Sequence, residues 1–476
     1  MLKRKMMAVL EAWKERNEGV ALCIMGARQT GKTTIAKEFG RTHYQQTIEV
    51  NFLLQEDAGK IFEHVDRAED ILRNLSAYTR QRIIPGHTLV LFDEVEACPA
   101  ARTHIKTLVL DGRCDYIETG SMLGVRFREV RSYPVGFEQI VRMYPLDFEE
   151  FLWAHQIPEA TISYIQQAFR NETEVSASIH DTLIKLFRTY MVVGGMPKVV
   201  QAFIDSGDIS EVTHIQHDLL ALYRQDIAQY APNTDKPKIR DVLDQIPSQL
   251  NAKNNRFKLS HIAKNARSIH FESSFLWLSE AGVALPCYNC TAPVIPLDLN
   301  LKRNLFKLYF CDTGLLCAMS LDEIQFDVLQ GNVQINHGSL LENVFAQSLT
   351  SNRFPLYYFD SKKIGELDFV IQNRQKITTL EIKSGNDFTK HPSLDRALAN
   401  PEWKIEEGIV FCKGNVRRQG NVLYLPFYMV FFARACAYGK AGSSQNKFQR
   451  SAPAKIKKDA RRRLVLLIRF RVPGTD

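Results

Sequence analysis

The feature that most restricts the fold of this chain is a glycine-containing loop between an apolar strand and a helix. Residues 26–33 (G-A-R-Q-T-G-K-T) fit the pattern G-x-x-x-x-G-K-[ST], follow the apolar run 20–25 and precede a helix predicted over about 32–40. The glycines let backbone N–H groups face phosphate oxygens, and the helix N-terminus adds a favourable dipole. A chance match is the alternative, since Gly-rich turns between strand and helix are common. The sequence therefore predicts a phosphate-binding loop.

The side chains of this loop have separate expected tasks. Lys32 is expected to reach the β- and γ-phosphates of ATP, and Thr33 to supply a hydroxyl ligand to Mg²⁺. ATP and Mg²⁺ are therefore the predicted cofactors. The complete set predicted to bind nucleotide is Gly26, Arg28, Gln29, Thr30, Gly31, Lys32, Thr33, Thr34, Asp93 and Ser121.

A second apolar strand, residues 88–92, ends in two carboxylates. Asp93 suits a magnesium partner at the strand end, and Glu94 suits orientation and polarisation of an attacking water. Two acids after a buried strand also form an ordinary N-cap for the next helix, and alone that interpretation would prevail. Together with the phosphate loop, the pair predicts metal binding by Asp93 and catalysis by Glu94, with Lys32 as the second catalytic residue.

The next predicted strand, residues 116–119, leads into Gly120 and Ser121. A polar side chain there is expected to touch the γ-phosphate or the water, with Ser121 the first choice and Thr119 the second; a plain Gly-Ser turn is the equal alternative. Four arginines follow and are candidates for an arginine finger, in cis or from a neighbouring subunit, although a solvated basic face is the favoured explanation for any single one of them. They are Arg126, Arg128, Arg131 and Arg142.

Strands alternate with helices through the first 120 residues, which predicts a parallel sheet of the α/β class. Residues 145–230 contain helical periodicity without a convincing strand. A turn signal at 232–237 (P-N-T-D-K-P) separates them from a largely helical stretch, and a second α/β unit is predicted over about 305–433.

Several motifs resemble those of bacterial and archaeal AAA+-type ATPases with a C-terminal domain of unknown function. They are the phosphate loop, L-F-D-E (91–94), T-G-S (119–121), Y-P-L-D-F-E-E-F (144–151), Y-M-V-V-G-G-M-P (190–197), L-Y-R-Q-D (222–226) and F-K-L-Y-F-C-D-T-G-L-L (306–316). The resemblance covers residues 1–433 in order. It implies a P-loop NTPase core (1–157), a helical lid (158–235), a winged-helix-like segment (236–304) and a restriction-endonuclease-like α/β domain (305–439), before a tail (440–476).

Charged residues of the last predicted α/β unit form a possible second metal site. Glu366 and Asp368 are expected on one face of one strand, Glu381 and Lys383 on one face of the next, because residues two apart project the same way. The set resembles a restriction-endonuclease-like site, in which Asp368 and Glu381 would hold a second divalent cation, Lys383 would activate water and Glu342 would support the metal. A solvated pair of charged strands is the alternative.

The formal net charge of +8 is unevenly distributed along the 476 residues. Residues 440–476 contain five Lys and six Arg against two Asp, a net charge of +9, which leaves −1 for residues 1–439. The tail is predicted to be disordered. Its basic composition is explained either by a native basic tail or by a shifted reading frame. Residues 251–271 carry a local +5, but the expected recognition helix, 271–281, contains Glu272 and Glu280 and no Lys or Arg. A protein contact is therefore favoured there over non-specific DNA.

Other features exclude whole classes of protein. No apolar run approaches the roughly 18 residues of a membrane span, and residues 1–20 have the pattern of an amphipathic helix and not of a signal peptide. The nine scattered cysteines favour a reducing cytoplasm over a disulfide framework, and Cys287-x-x-Cys290 lacks the second pair that a zinc site would need.

The sequence thus predicts a Mg²⁺-dependent ATPase whose turnover moves its C-terminal parts. Two other hypotheses stay open: an ATP-gated DNA-processing nuclease, and a slow ATP-sensing switch that recruits a protein partner. Glu94 speaks against a protein that only binds ATP. The oligomeric state is not predicted.

Overall fold

The computed structural model describes residues 1–121, 135–252, 256–258, 271–320, 329 and 337–433. The chain folds into two compact units, each assembled from separate stretches of sequence. Unit 1 comprises Met1–Gln156, Thr189–Pro286 and Leu308–Gln334, and unit 2 comprises Ile157–Arg188, Cys287–Lys307 and Ile335–Asp476. The domain boundaries expected from the sequence are contiguous, and they stay a prediction.

Unit 1 contains a five-stranded, fully parallel sheet with the order β2-β3-β4-β1-β5. Its strands are β1 (Ala21–Gly26), β2 (Gln46–Asn51), β3 (Thr88–Asp93), β4 (Asp115–Ser121) and β5 (Glu138–Arg142). Strands β1 and β3 are buried along their whole length, which is why they are almost continuously apolar in sequence. The predicted parallel α/β sheet with a P-loop NTPase arrangement is confirmed.

Helices cover both faces of this sheet. They are α1 (Lys5–Arg16), α2 (Lys32–His43), α3 (Ala68–Thr79) and α4 (Pro99–Asp111), and a 3₁₀ helix, Glu56–Phe62, precedes α3. One core joins α1 and α2 to the side chains of Ile24 and Leu91, and the other joins α3 and α4 to those of Val90 and Phe92. The two cores follow from the alternation of side chains along each strand.

The rest of unit 1 is mainly helical. It contains α5 (Phe148–Ala154), α8 (Pro197–Ser206), α9 (Ile209–Tyr230), α10 (Lys236–Leu250), α11 (Glu272–Glu280) and α12 (Thr313–Ser320), while α7 (Ala177–Val193) begins in unit 2. The side chains of Asp147 and Glu150 form a capping box at the start of α5. Among the residues that the structure describes, none of these helices combines the length and hydrophobicity that a membrane crossing needs.

Unit 2 is built on two sheets, with the orders β10-β11-β12-β14-β13 and β7-β6-β8-β9. The strands are β6 (Ala284–Cys290), β7 (Leu301–Phe310), β8 (Tyr357–Ser361), β9 (Gly365–Leu367), β10 (Phe369–Asn373), β11 (Lys376–Lys383), β12 (Gly408–Cys412), β13 (Arg417–Gln419) and β14 (Val422–Pro426). The first residues of β6 and the last residues of β7 belong to unit 1. Its further helices are α6 (Glu159–Asn171), α13 (His337–Ser351) and α14 (Pro392–Leu398), with a 3₁₀ helix at Phe427–Phe432.

One expectation for unit 2 is wrong. Glu366 and Asp368 do not share one strand, because β9 ends at Leu367 and β10 begins at Phe369, in different sheets. Asp368 lies at the junction, where its Oδ2 accepts a hydrogen bond of 2.7 Å from the backbone N–H of Ile382. The predicted hairpin is present, since β10 and β11 pair in antiparallel fashion with Asn373 opposite Lys376.

Candidate functional site

The phosphate loop lies between β1 and α2 in a backbone conformation that requires its glycines. A Cβ on Gly26 would lie 2.2 Å from the carbonyl oxygen of Met143, and Gly31, the N-cap of α2, has φ of 92°. Both positions exclude an ordinary L-residue. The two glycines of the motif therefore lie at positions where the backbone of this turn requires glycine.

A cavity of about 290 Å³ lies against this loop and contains most of the residues predicted to bind nucleotide. Its lining comprises Arg28, Gln29, Gly31, Lys32, Thr33, Thr34, Leu53 and Glu94. The ammonium group of Lys32 is buried and donates to the carbonyl oxygens of Gly26 (3.1 Å) and Ala27 (2.9 Å). Burial lowers the pKa of Lys32, and Glu94 is the largest influence opposing that shift.

Asp93 is held by side chains from three neighbouring elements. Thr33 Oγ1 donates to Asp93 Oδ1 over 2.7 Å, Asn51 Nδ2 donates to Asp93 Oδ2 over 2.6 Å, and the Thr119 hydroxyl also donates to Oδ1. Asn51 ends β2 directly opposite Asp93 in the sheet register. The structure thus brings together the two residues predicted to ligate magnesium, while their role as ligands stays a prediction.

Glu94 begins the turn after β3 with a left-handed backbone, φ of 56°, and lines the cavity. Burial raises its pKa to about 8, and the neighbouring carboxylate of Glu96 adds to the shift. Glu96 also accepts from the backbone N–H of Ser121 over 2.9 Å and from the Ser121 hydroxyl. The two sensor candidates therefore have different partners: Thr119 contacts Asp93, and Ser121 contacts Glu96.

Arg28 directs its guanidinium group to helix α9 and not into the loop. Nη1 lies 2.6 Å from Oδ1 of Asp226, Nη2 donates to the hydroxyl of Tyr230 over 3.1 Å, and the hydroxyl of Tyr223 donates to the Arg28 carbonyl over 3.2 Å. Burial raises the pKa of Asp226 to about 6, and Arg28 opposes that shift. The loop and α9 are consequently linked through three side chains of the helix.

Thr30 and Thr34 complete the predicted set. Thr30 is buried, its hydroxyl donates to Ala27 O over 3.0 Å, and its carbonyl accepts from Arg4 Nη1 over 2.8 Å. Thr34 is exposed at the cavity. Thr30 therefore stabilises the shape of the loop, and the N-terminal segment supports it.

Three predicted features lie partly or wholly outside the described residues. Of the arginine-finger candidates, Arg126, Arg128 and Arg131 are outside, while Arg142 is exposed at the end of β5. The basic segment 251–271 is described only at residues 251, 252, 256–258 and 271, and the tail 440–476 is outside. A winged helix, a DNA contact and a protein contact in these parts stay predictions.

In unit 2, the acids predicted to form a second metal site lie around a buried lysine. The Lys307 ammonium group is fully buried, 2.9 Å from Oε2 of Glu342 and 2.7 Å from Oε1 of Glu366. Burial opposes the charge of Lys307, but Glu342 and Glu366 outweigh it and raise its pKa. Lys307 therefore supplies a cation to this cluster, which sequence patterns did not indicate.

The other two acids are more weakly neutralised. Lys383 lies 2.6 Å from Oε1 of Glu381, whereas Oε2 of Glu381 is buried without a hydrogen-bond partner. Burial, then Glu381 and Glu342, raise the pKa of Asp368 well above its usual range. Within the described residues, Glu342, Asp368 and Glu381 are not a set whose carboxylate oxygens all lie within 4.8 Å of one another. A second cation at this position stays a prediction.

Comparisons with known proteins match three stretches of the chain. Residues 18–152 match the model of a family described as an AAA domain, residues 184–325 match a domain of unknown function, DUF8612, and residues 337–428 match another, DUF4143. No curated protein matches the chain. The AAA match and the parallel sheet with its phosphate loop support an AAA-type P-loop ATPase.

Several solved structures also resemble the chain at low similarity. A Walker-type ATPase from Pyrococcus abyssi is 13% identical with a TM-score of 0.41, covering 67% of this chain and 96% of its own. Cdc6p from Pyrobaculum aerophilum is 11% identical (TM-score 0.25, 70% and 96% covered), and a RuvB variant from Thermotoga maritima is 15% identical (TM-score 0.25, 59% and 87% covered). At these scores the likeness carries no argument about this protein.

Sequence patterns missed two residues of the nucleotide site. Asn51 contacts Asp93, and Glu96 contacts Ser121; neither residue belongs to a motif by which the sequence could have indicated it. Asn51 Oδ1 also accepts from the backbone N–H groups of Leu53 (3.0 Å) and Leu54 (2.9 Å). The conformation of the loop after β2 is thereby linked to Asp93.

Proposed function

We propose that unit 1 binds ATP with Mg²⁺ and hydrolyses it. The observation that carries the proposal is the 2.7 Å contact between Thr33 Oγ1 and Asp93 Oδ1, beside a cavity lined by Lys32 and Glu94. These four side chains bring a hydroxyl, two carboxylates and an ammonium group to one place. Oxygen donors suit Mg²⁺, and the ammonium group suits phosphate oxygens.

The residues divide the work of hydrolysis among them. Thr33 and Asp93 would hold Mg²⁺, which neutralises charge on the phosphates when bound. Lys32 exchanges its bonds to the Gly26 and Ala27 carbonyls for bonds to the β- and γ-phosphates. Glu94 orients the attacking water and, as the ionised carboxylate, accepts its proton at a carboxylate oxygen. Burial and Glu96 raise the pKa of Glu94 to about 8, and the positive charge of Mg²⁺ would favour the ionised form.

Arg28 and helix α9 provide a route by which turnover reaches the rest of unit 1. Arg28 lines the cavity and also pairs with Asp226, so phosphates in the cavity compete with Asp226 for its guanidinium group. Loss of the Arg28–Asp226 pair on binding would release α9 from the loop. This contact supports the coupling of ATP hydrolysis to a conformational change.

The enzymatic test compares ATP hydrolysis by the wild type with that by Lys32→Ala and Glu94→Gln. Both variants should lose at least about 100-fold in kcat. Lys37→Ala and Glu49→Gln are matched controls, because Lys37 and Glu49 pair with each other on the surface of the same sheet region, and both should retain activity. Equal rates in all five proteins would refute the proposal. Tight, Lys32-dependent ATP binding with negligible phosphate release would instead favour the ATP-sensing switch.

A second candidate, an ATP-gated nuclease, is favoured by the charges of unit 2. Four carboxylates (Glu342, Glu366, Asp368, Glu381) lie near two ammonium groups (Lys307, Lys383), and the pKa of Asp368 is raised well above its usual range by burial and by its acidic neighbours, so this cluster lacks a cation that would let Asp368 ionise. A divalent cation would supply that charge. The test is Mn²⁺-dependent nicking of DNA, which Asp368→Ala should abolish and the exposed-site control Asp387→Ala should not; nicking that persists in Asp368→Ala would come from a contaminant.

A further inference from the structure

A buried cluster on one face of the sheet of unit 1, the face covered by α4, combines a thiol with two carboxylates. Cys23 on β1 pairs in register with Glu118 on β4, and Glu138 on β5 pairs with Ala21, two residues before Cys23. Register partners, and residues two apart on a strand, project to the same face of a sheet. The three side chains therefore point together to the α4 face, and the Cys23 sulfur and one oxygen of each carboxylate lie within 4.8 Å of one another.

The carboxylates of this cluster are incompletely satisfied. Arg102 on α4 places Nη2 2.7 Å from Oε2 of Glu138, and both side chains are at most 5% exposed. Glu118 is fully buried, and while both carboxylates are ionised neither of its oxygens has a hydrogen-bond partner, nor does Oε1 of Glu138. Burial and the adjacent Glu138 raise the pKa of Glu118 well above its usual range. A shared proton would join one oxygen of Glu118 to Oε1 of Glu138, but it would leave only the weak thiol donor of Cys23 for the second Glu118 oxygen. Such burial is costly without a further partner.

We propose that Cys23, Glu118 and Glu138 bind one divalent transition-metal ion, for which Zn²⁺ has the best-matched ligand preference. On binding, the Cys23 thiol and the Glu118–Glu138 pair each lose one proton to solvent, so that a thiolate and two carboxylates surround the ion. With the ion (+2) and Arg102 (+1), the three anionic ligands give a neutral buried cluster. A thiolate ligand selects Zn²⁺ or a similar ion over Mg²⁺, which prefers oxygen donors alone.

The position of the cluster indicates a structural role for the ion. It would join β1, which leads into the phosphate loop at Gly26, to β4, which ends at Ser121, and to the edge strand β5. None of the three ligands is accessible, so the ion would be bound as the chain folds and would stabilise the sheet without taking part in catalysis. This site is separate from the predicted magnesium ligands, Thr33 and Asp93.

The test uses the full chain. Elemental analysis of the purified protein should find one Zn²⁺ per chain, and protein refolded with Co²⁺ should show the near-ultraviolet charge-transfer absorption of a cobalt–thiolate bond. Cys23→Ser should abolish that band, and Glu118→Gln should weaken Co²⁺ binding at least tenfold. Two controls should keep the band: Cys317→Ser, which changes a buried thiol of α12, and Asp93→Asn, which changes a predicted ligand of the other metal.

Three outcomes would overturn the proposal. A folded wild type that contains no metal and shows no thiolate band with Co²⁺ would mean that the cluster holds a shared proton. A band that persists in Cys23→Ser would assign the metal to another cysteine. If Cys23→Ser does not fold, Glu118→Gln decides, because unchanged Co²⁺ affinity in that variant would exclude Glu118 as a ligand.

Discussion

The guanidinium group of Arg28 lies 2.6 Å from the carboxylate of Asp226, which joins the phosphate loop to helix α9 across 198 residues of sequence. Tyr230 reinforces the contact, with its ring 5.0 Å from the guanidinium carbon. The Asp226 side chain is 7% exposed and that of Arg28 is 25% exposed, so the pair is only partly screened by water. The geometry of the loop is therefore tied to a helix that contributes no residue to the loop itself.

We predict that Arg28 and Asp226 are energetically coupled. Arg28→Ala and Asp226→Ala should each lower the free energy of unfolding by about 1–3 kcal/mol, because each leaves a partly buried charge without its partner. The loss in the double variant should be smaller than the sum of the two single losses by about 1 kcal/mol or more. Urea unfolding of the four proteins measures this coupling.

The pair Arg224–Asp244 is the matched control. It also involves α9, has a 2.9 Å contact, and is about 40% exposed on both sides, so its coupling should not exceed about 0.5 kcal/mol. Equal coupling in the two pairs would contradict a special role for the loop contact.

Asp226 should also make stability depend on pH. Its pKa is about 6 in the folded protein, above its usual value of 3.8, so the folded state holds a proton that the unfolded state has already lost between these pH values. The free energy of unfolding should therefore fall as the pH rises from about 4 to 6 and become level above that range. Asp226→Asn has no titratable group at this position, so its unfolding free energy should lack this contribution to the pH dependence. The difference in unfolding free energy between wild type and Asp226→Asn, measured by denaturant titration at each pH, should show this fall, and a constant difference would contradict it.

Asn51 should influence the binding of Mg²⁺ by Asp93. In Asn51→Ala, Asp93 loses a 2.6 Å hydrogen bond, and the N–H groups of Leu53 and Leu54 lose their acceptor. A hydrogen bond to a charged group contributes about 1.5–3 kcal/mol, so kcat for ATP hydrolysis should fall roughly 10- to 100-fold. The Mg²⁺ concentration for half-maximal rate should rise as well.

Asn74→Ala provides the control for this effect, because Asn74 on α3 lies away from Asp93 and donates to the Ile61 carbonyl, 3.3 Å away. Its hydrolysis rate and Mg²⁺ dependence should match those of the wild type. A normal Mg²⁺ dependence in Asn51→Ala would show that Asn51 has no influence on metal binding.

Lys307 should be essential to the stability of unit 2. Lys307→Met keeps most of the buried volume but leaves Glu342 and Glu366 without their shared cation, which should cost about 3–5 kcal/mol. Lys376→Met removes an ion pair with Glu406 at the surface and should cost less than about 1 kcal/mol. Thermal unfolding of the three proteins compares these losses, and similar transitions for both variants would contradict the prediction.

Local patterns in the sequence predicted much of the nucleotide site. The strand before Gly26, the strand that ends at Asp93 and the helix that starts at Lys32 were each indicated by apolar runs and a loop motif. Such features extend over fewer than about ten residues, where periodicity and turn chemistry are strong signals. The five-residue edge strand β5 was not predicted, because its alternation of exposed and buried residues is too short to distinguish from a loop.

Contacts between residues remote in the chain left no comparable signal in the sequence. The contacts of Asp226 with Arg28, of Glu96 with Ser121 and of Lys307 with Glu342 join residues 25 to 198 positions apart. The interruption at Asp368 was also missed, since the alternation of acidic and apolar residues continues across the boundary between two sheets.

The sequence by itself therefore determined the phosphate loop, the alternation of strands and helices and the residue types that face the nucleotide cavity, because these depend on interactions between near neighbours in the chain. Only the tertiary structure decided which charges are paired. Arg28 binds Asp226, Lys307 lies between two glutamates, and Glu118 is buried beside Cys23 and Glu138, because burial and strand order set the distance between charges that are remote in sequence.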